Sequence, residues 1–139
     1  VRSGGIVTSY LWDLDDERQF TRPFWAAALS LDPDAEAWDP RATHSISRRD
    51  SLRATFEGAG LRAVAVEGVE LPTVFRDFDD YWQPCLLDGS TPVQRYVRSL
   101  DTDRREALRL RLQAILPLAA DGSIPLIGRL WLAQGAKTG

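Results

Sequence analysis

The apolar positions change period several times along the chain, and each change marks an element. Ile6 to Leu14 reads IVTSYLWDL, β-branched and aromatic, between Gly4-Gly5 and Asp15-Asp16. Its apolar residues do not alternate cleanly, which predicts a strand covered on both faces. From Arg22 to Leu31, RPFWAAALSL, the spacing turns helical. Phe24, Ala27, Ala28 and Leu31 share one face, and Pro23 suits the first turn. Asp32 to Ile46 is acidic, then polar, with Pro33 and Pro40, and is expected to be a loop. Ser47 is placed to cap a helix through Glu57. Leu52, Thr55, Phe56 and Ala59 would be its buried stripe, with Gly58 or Gly60 at its end.

LRAVAVEGVELPTVF follows, with Val64 and Val66 on one face and Ala63, Ala65 and Glu67 on the other. That alternation predicts a strand near a sheet edge, ended or interrupted by Pro72. DFDDYWQPCL (77–86) reads as a short aromatic helix capped by Asp77. Thr91-Pro92 can start another helix through Leu100. Asp101 or Asp103 caps a longer one to about Leu116, with Leu108, Leu112, Ile115 and Leu116 on its core face. Arg104, Arg105, Arg109 and Arg111 stay solvated there, and Pro117 stops the helix. After an Asp121-Gly122 turn, IPLIGRLWLA (124–133) has Ile124, Leu126, Leu130 and Leu132 on one face and Ile127 and Trp131 on the other. Apolar residues on both faces predict an interior strand. Residues 135–139, GAKTG, are expected to be a flexible tail. The alternation of strands and helices predicts a single α/β domain over 1–139, with strands near 6–14, 62–70 and 123–133 and flanking helices.

Composition narrows the class. A chain of 139 residues can hold one core, and 44% hydrophobic with 27% charged residues is ordinary for a soluble domain. A net charge of −3 gives no general attraction to nucleic acid, and no apolar run is long enough to cross a membrane. The single Cys85 cannot form an internal disulfide, and no signal peptide is visible, so a cytoplasmic setting is expected. Lys137 is the only Lys; the remaining 16 of the 17 Lys and Arg residues are Arg, a bias expected of a GC-rich bacterial genome. The chain has no Met and begins one turn ahead of a core-like strand. It is therefore expected to be part of a longer protein.

Several pieces in order carry a resemblance. Arg2-Ser3-Gly4-Gly5 leads into IVTSYLWD; SLRATFEGAGLRAVAV joins a helix, an Ala-Gly-Leu turn and a strand; FRDFDDYWQP is an aromatic helix; ADGSIPLIGRLWLA is a last strand after an Asp-Gly turn. In this order they resemble the C-terminal half of class I S-adenosylmethionine-dependent methyltransferases of the small-molecule type. Ser3 stands where that family usually has Pro. The resemblance implies a partial Rossmann-like methyltransferase fold with a three-stranded mixed sheet. The strands would be the family's fifth, sixth and seventh, the seventh antiparallel and inserted between the other two. It further implies the acceptor-side portion of a transferase acting on a small molecule. The family's Gly-rich cofactor loop is missing, since no G-x-G-x-G occurs, so this chain alone is expected to bind no S-adenosylmethionine and to be inactive. A non-catalytic small-ligand-binding or dimerisation module is the competing reading.

Candidate residues follow from the chemistry. Methyl transfer needs in-line positioning and at most a base, so no nucleophilic side chain is required and no catalytic residue is assigned. The resemblance puts the segments after the first two strands around the acceptor. Trp12, Phe24, Trp25, Phe75, Phe78, Tyr81 and Trp82 are the expected substrate-binding set, against the plainer reading of core packing. His44 in a polar loop is a possible acceptor-side base, though a solvated loop residue is the simpler reading. Asp79 and Asp80 read first as helix N-terminal charge, and Cys85 as an inert buried thiol. No metal-ligand spacing occurs. Expected partners are a small-molecule acceptor and either a missing N-terminal half or a second copy, joined through the edge of strand 6–14. No nucleic acid or membrane partner is expected.

Overall fold

Chain order is β1 (Ile6–Trp12), α1 (Arg22–Leu31), α2 (Pro40–Thr43), α3 (Arg49–Gly58), β2 (Leu61–Phe75), α4 (Phe78–Trp82), α5 (Pro92–Ser99), α6 (Thr102–Ile115) and β3 (Ile124–Lys137). Short 3-10 segments lie at Pro33–Trp38 and Gln83–Leu86. The computed structural model describes residues 1–43 and 47–139.

The strands form one sheet in the order β1-β3-β2. β3 runs antiparallel to β1, from Ile6 opposite Ala136 to Trp12 opposite Leu130. It runs antiparallel to β2 as well: Leu61 lies against Gly135, and Gly68 against Arg129 and Trp131. The sheet is thus antiparallel, not mixed. β1 and β2 point the same way, but β3 separates them, so no parallel pair forms. The interior place of β3 follows from its two apolar faces, and β2 is the edge strand its alternation predicts. β2 continues through Pro72 to Phe75, because an edge strand has a side on which a missing N–H costs no ladder bond. β1 departs from expectation. It is the other edge, and exposed and half-buried residues alternate along it. Ile6 is 69% and Tyr10 72% exposed, so one face is uncovered where both were expected to be buried.

The chain divides into two compact units. The first holds residues 1–19, 44–71 and 128–139. Leu52 and Phe56 of α3 pack on Val66 and Ala133 of the sheet, with Val7, Leu11, Leu61, Val64 and Trp131 at the margin. Thr55 and Ala59, expected in this stripe, are exposed; the Thr55 hydroxyl donates to the Ser51 carbonyl at 2.8 Å. Arg48, not Ser47, occupies the N-cap position and makes no side-chain cap bond, while Asp50 lies in the first turn near the helix's positive end. Gly60, at φ +78°, turns the chain into β2. Ala63 at φ 51° then breaks the alternation, so that Leu61 and Val64, three apart, both turn inward. Gly135 lets α3 and β2 approach β3: a Cβ there would lie 2.9 Å from Leu61 Cβ. Residues 135–137 are the last of β3, paired with Val7, Ile6 and Gly5.

The second unit holds residues 20–43 and 72–127. Here helix signals match the sequence closely. α1 has Pro23 in its first turn and stops at Asp32, whose extended backbone is what a residue before Pro prefers. The segment expected as a loop contains the 3-10 turn and α2; the Asp32 carboxylate accepts from Asp34 N at 3.0 Å. Asp77 caps α4, Thr91 and Gln94 form a capping box on α5, and Asp101 caps α6. Phe24, Trp25, Ala27 and Ala28 of α1 meet Leu108 and Leu112 of α6 in a core that also holds Tyr81, Trp82, Tyr96 and Ile124. Leu31 departs from its expected core role and is 49% exposed at the end of α1. No helix among the described residues is long and apolar enough to cross a membrane.

The core face of α6 gives a direct test. Leu112→Ala removes a fully buried side chain and should cost about 2–5 kcal/mol. Leu110→Ala, on the exposed face, should change stability by less than about 0.5 kcal/mol. Urea denaturation of both variants checks the difference.

Candidate functional site

An arginine in the central strand organises a charged basin in the first unit. Arg129 of β3 donates through Nε to Asp13 Oδ2 at 3.0 Å and through Nη1 to Glu70 Oε1 at 2.9 Å. Asp16 lies 3.5 Å from its Nε. Asp13 follows the last residue of β1 and Glu70 is on β2, so three strands deliver the cluster. The Asp13 backbone N–H donates to the Arg129 carbonyl at 2.9 Å, extending the ladder one residue past β1. Gln19 brackets the same residue. Its side-chain amide donates to the Arg129 carbonyl at 3.0 Å, and its carbonyl accepts from the Arg129 N–H at 2.9 Å. The guanidinium stacks over Trp131, 4.9 Å from the ring centroid. Gly68 on β2 permits that stacking, since a Cβ there would lie 2.6 Å from Arg129 Nη2 and 3.2 Å from Trp131 Cζ3.

Around this centre lies an open basin of about 580 Å³, walled also by Arg18, Arg48, Arg49 and Asp50. Arg18 bridges Asp16 at 2.8 Å and Glu70 at 2.7 Å. Its hydrogen bonds hold both carboxyls below their ordinary range, and the two carboxylates hold the Arg18 guanidinium above its own. Arg48 pairs with Asp15 at 2.9 Å, with both side chains about half exposed or more. Two guanidiniums, Arg18 and Arg129, thus meet three carboxylates, Asp13, Asp16 and Glu70, and each carboxylate is occupied. Such a cluster fixes geometry and presents charge; Asp16 and Glu70, held below their ordinary range, are poor proton acceptors near neutral pH.

The aromatic set expected to bind substrate has a different placement. Phe24, Trp25, Tyr81 and Trp82 are buried in the core of the second unit, and Phe75 and Phe78 pack at its margin. Phe24 meets Trp25 edge-on at 5.1 Å, Phe75 meets Tyr81 likewise at 5.1 Å, and Phe78 stacks on Trp82 at 6.3 Å. Tyr96 and Trp38, which sequence reasoning missed, complete the network. Core packing accounts for the four buried rings. Trp12 lies in the first unit at the end of β1, half exposed. None of the seven lines either the basin or the smaller cavity described below.

The remaining candidates are placed as follows. His44 lies outside the described residues. Asp80 is held below its ordinary range by the Arg76 backbone N–H and guanidinium. Burial pushes the Cys85 thiol up to about 12, and it donates to the Tyr81 carbonyl at 3.6 Å. Burial also pushes the Asp39 carboxyl up to about 6; the Arg22 charge opposes this, and Arg41 Nε donates to both its oxygens, at 3.0 and 2.8 Å. Among the described residues, no group of three or more His, Cys, Asp or Glu could hold a metal ion. Arg129 and its partners Gln19 and Glu70 were missed, although a charged residue inside an otherwise apolar central strand signals a buried partner. No protein-family model matches the chain, and no curated protein matches it at a significant level.

Asp13 and Arg129 should behave as a coupled pair. Asp13→Asn and Arg129→Gln should each cost about 1–3 kcal/mol, between an exposed and a fully buried pair. The double variant should fall short of the sum by about 1 kcal/mol or more, read from urea denaturation in a double-mutant cycle.

Acid should expose the Arg18 contribution. Asp16 and Glu70 titrate lower in the folded chain than their ordinary 3.8 and 4.5. Their stabilisation is therefore complete above those values and is lost as pH falls through the lower folded ones. The difference in thermal midpoint between the parent chain and Arg18→Gln should stay level from about pH 7 to 5 and shrink below about 4. Arg18→Gln should lower the neutral midpoint and make the acid drop shallower, as scanning calorimetry would record.

Proposed function

We propose that the chain is the acceptor-side, C-terminal portion of a class I S-adenosylmethionine-dependent methyltransferase acting on a small molecule. The observation that carries this reading is the strand order β1-β3-β2, with β3 antiparallel between its neighbours. It is the order the sequence resemblance implies for the family's fifth, seventh and sixth strands. The outer edge of β1 is where a fourth strand would join, and the Rossmann-like character belongs to this proposal. Trp12, beside the basin residue Asp13, would stand at the rim where open α/β sheets place ligands.

The residues of this chain do not make a cofactor site of that family's kind. Gly4, Gly60 and Gly122, the glycines with positive φ, sit in turns and not in a Gly-rich loop. The cluster carboxylates Asp13, Asp16 and Glu70 are each paired with a guanidinium. The cofactor would be held by a segment outside this sequence.

A non-catalytic ligand-binding or dimerisation module is the second reading, and β1 supplies its observation. IVTSYLW is an edge strand without Lys, Arg or Pro, and it exposes Ile6, Tyr10 and Trp12. Such an edge pairs readily with another strand. Calorimetry with S-adenosylmethionine separates the two readings. This chain alone should show no saturable micromolar binding. The gene product extended upstream by about 100 residues, one nucleotide-binding half, should bind at micromolar levels. Failure of the extended protein to bind, with the isolated chain dimeric in sedimentation, would favour the second reading and overturn the first.

A further inference from the structure

The second unit contains a cavity of about 250 Å³ where the end of α1 meets α5 and α6. Its apolar wall is Leu31, Leu100, Ala107 and Leu108. This explains the exposed Leu31: the last turn of α1 borders an unfilled space. Tyr96 is 4% exposed, its ring set among Phe24, Trp25 and Trp38. A buried tyrosine normally satisfies its hydroxyl. Tyr96 lines the cavity, no side-chain hydrogen bond of its hydroxyl is found among the described residues, and the two charged residues that act on the phenol, Asp32 and Arg104, line the same cavity.

Two opposite charges flank that hydroxyl. Asp32, the residue that ends α1, and Arg104, in the first turn of α6, both line the cavity. Both act on the phenol: burial first, then the Asp32 carboxylate, hold its proton on, and Arg104 pulls the other way. The phenol is therefore a donor at neutral pH. Arg104 is loosely engaged, with Asp101 3.8 Å away and both side chains mostly exposed, so its guanidinium is available to an incoming anion. One Asp32 oxygen accepts from the Asp34 N–H, which leaves the other open.

We propose that this cavity binds a small apolar molecule bearing both a carboxylate and an amine, such as a free hydrophobic amino acid. The carboxylate would take the Tyr96 hydroxyl and the Arg104 guanidinium, the ammonium would face Asp32, and the apolar side chain would lie on Leu31, Leu100 and Leu108. The volume falls below the usual range for drug-sized ligands, which limits the occupant to one ring or a short aliphatic chain. The site is independent of the methyltransferase reading, since it uses none of the sheet.

Calorimetric titration of the chain with L-phenylalanine, 3-phenylpropionate and phenethylamine tests this. L-phenylalanine should saturate with a Kd of about 0.1–1 mM, and each single-charge analogue should bind roughly tenfold more weakly. Tyr96→Phe keeps the packed ring and should weaken L-phenylalanine about tenfold. Arg104→Gln, a surface change, should weaken the two carboxylates about tenfold and leave phenethylamine unchanged. Thermal midpoints check that both variants remain folded. No saturation by L-phenylalanine up to roughly 20 mM, many times the expected Kd, would overturn the proposal. So would equal binding of the three probes, or affinities unmoved by both substitutions.

Discussion

Arg129 is a charge inside a central strand, and the first unit is arranged around the cost of holding it there. Its side chain is 23% exposed, too little for water alone to solvate the guanidinium. Asp13 and Glu70 approach it from the strands on either side, and Asp16 from the turn after β1. Gln19 binds both backbone groups of the same residue, so the loop after β1 closes back onto β3. Trp131 supplies an aromatic face for the cation, and Gly68 leaves room for it. Each of these choices is intelligible only together with the arginine. A buried ion pair of this kind is weak evidence for stability, because desolvation offsets much of the attraction. Its clearer effect is on register: β1, β2 and the loop must all arrive at one point for the charges to be satisfied.

What the sequence made legible was local. Pro23 followed by Ala27 and Ala28, with Pro33 beyond, sets both ends of α1. Thr91-Pro92 with Gln94, and Asp101, mark the starts of α5 and α6 through side-chain caps that act within four residues. The two apolar faces of β3 gave its central position. What could not be read depends on distant neighbours. IVTSYLW has the composition of a buried strand, yet whether its even positions are covered is decided by what packs on that face. Pro72 is compatible with β2 only because the strand lies at an edge, a property of the assembled sheet. Gln19 is an ordinary loop residue in sequence, and its role depends on a partner 110 positions away.

The aromatic set shows how one core of rings is assembled from distant elements. FRDFDDYW carries more aromatic surface than a five-residue helix can bury by itself, which suggests a ligand. The surplus is instead taken up by Phe24 and Trp25 of α1 and by Tyr96 of α5, which share one core. Short helices have little packing area of their own, and large rings compensate by reaching into neighbours. Tyr96 of this core brings a polar group to the wall of a cavity. The sequence did not single it out, because only a helix from Thr91-Pro92 through Leu100 was legible there.

The chemistry open to the chain follows from what its ionisable groups are committed to. Asp16, Glu70 and Asp80 are held as carboxylates by guanidiniums or backbone N–H groups. Cys85 and Tyr81 are held protonated by burial. Asp39, pushed toward neutrality, is buried against Arg41. These groups are occupied with structure, and proton transfer to a substrate would have to displace a partner from each. Displacement at a sulfonium methyl makes no such demand, because its barrier is lowered mainly by aligning acceptor and methyl. A chain that offers walls and fixed charges, with its acids and thiol already engaged, is chemically consistent with the acceptor side of such a reaction. The same commitments argue against hydrolytic or acid–base catalysis built from these six groups.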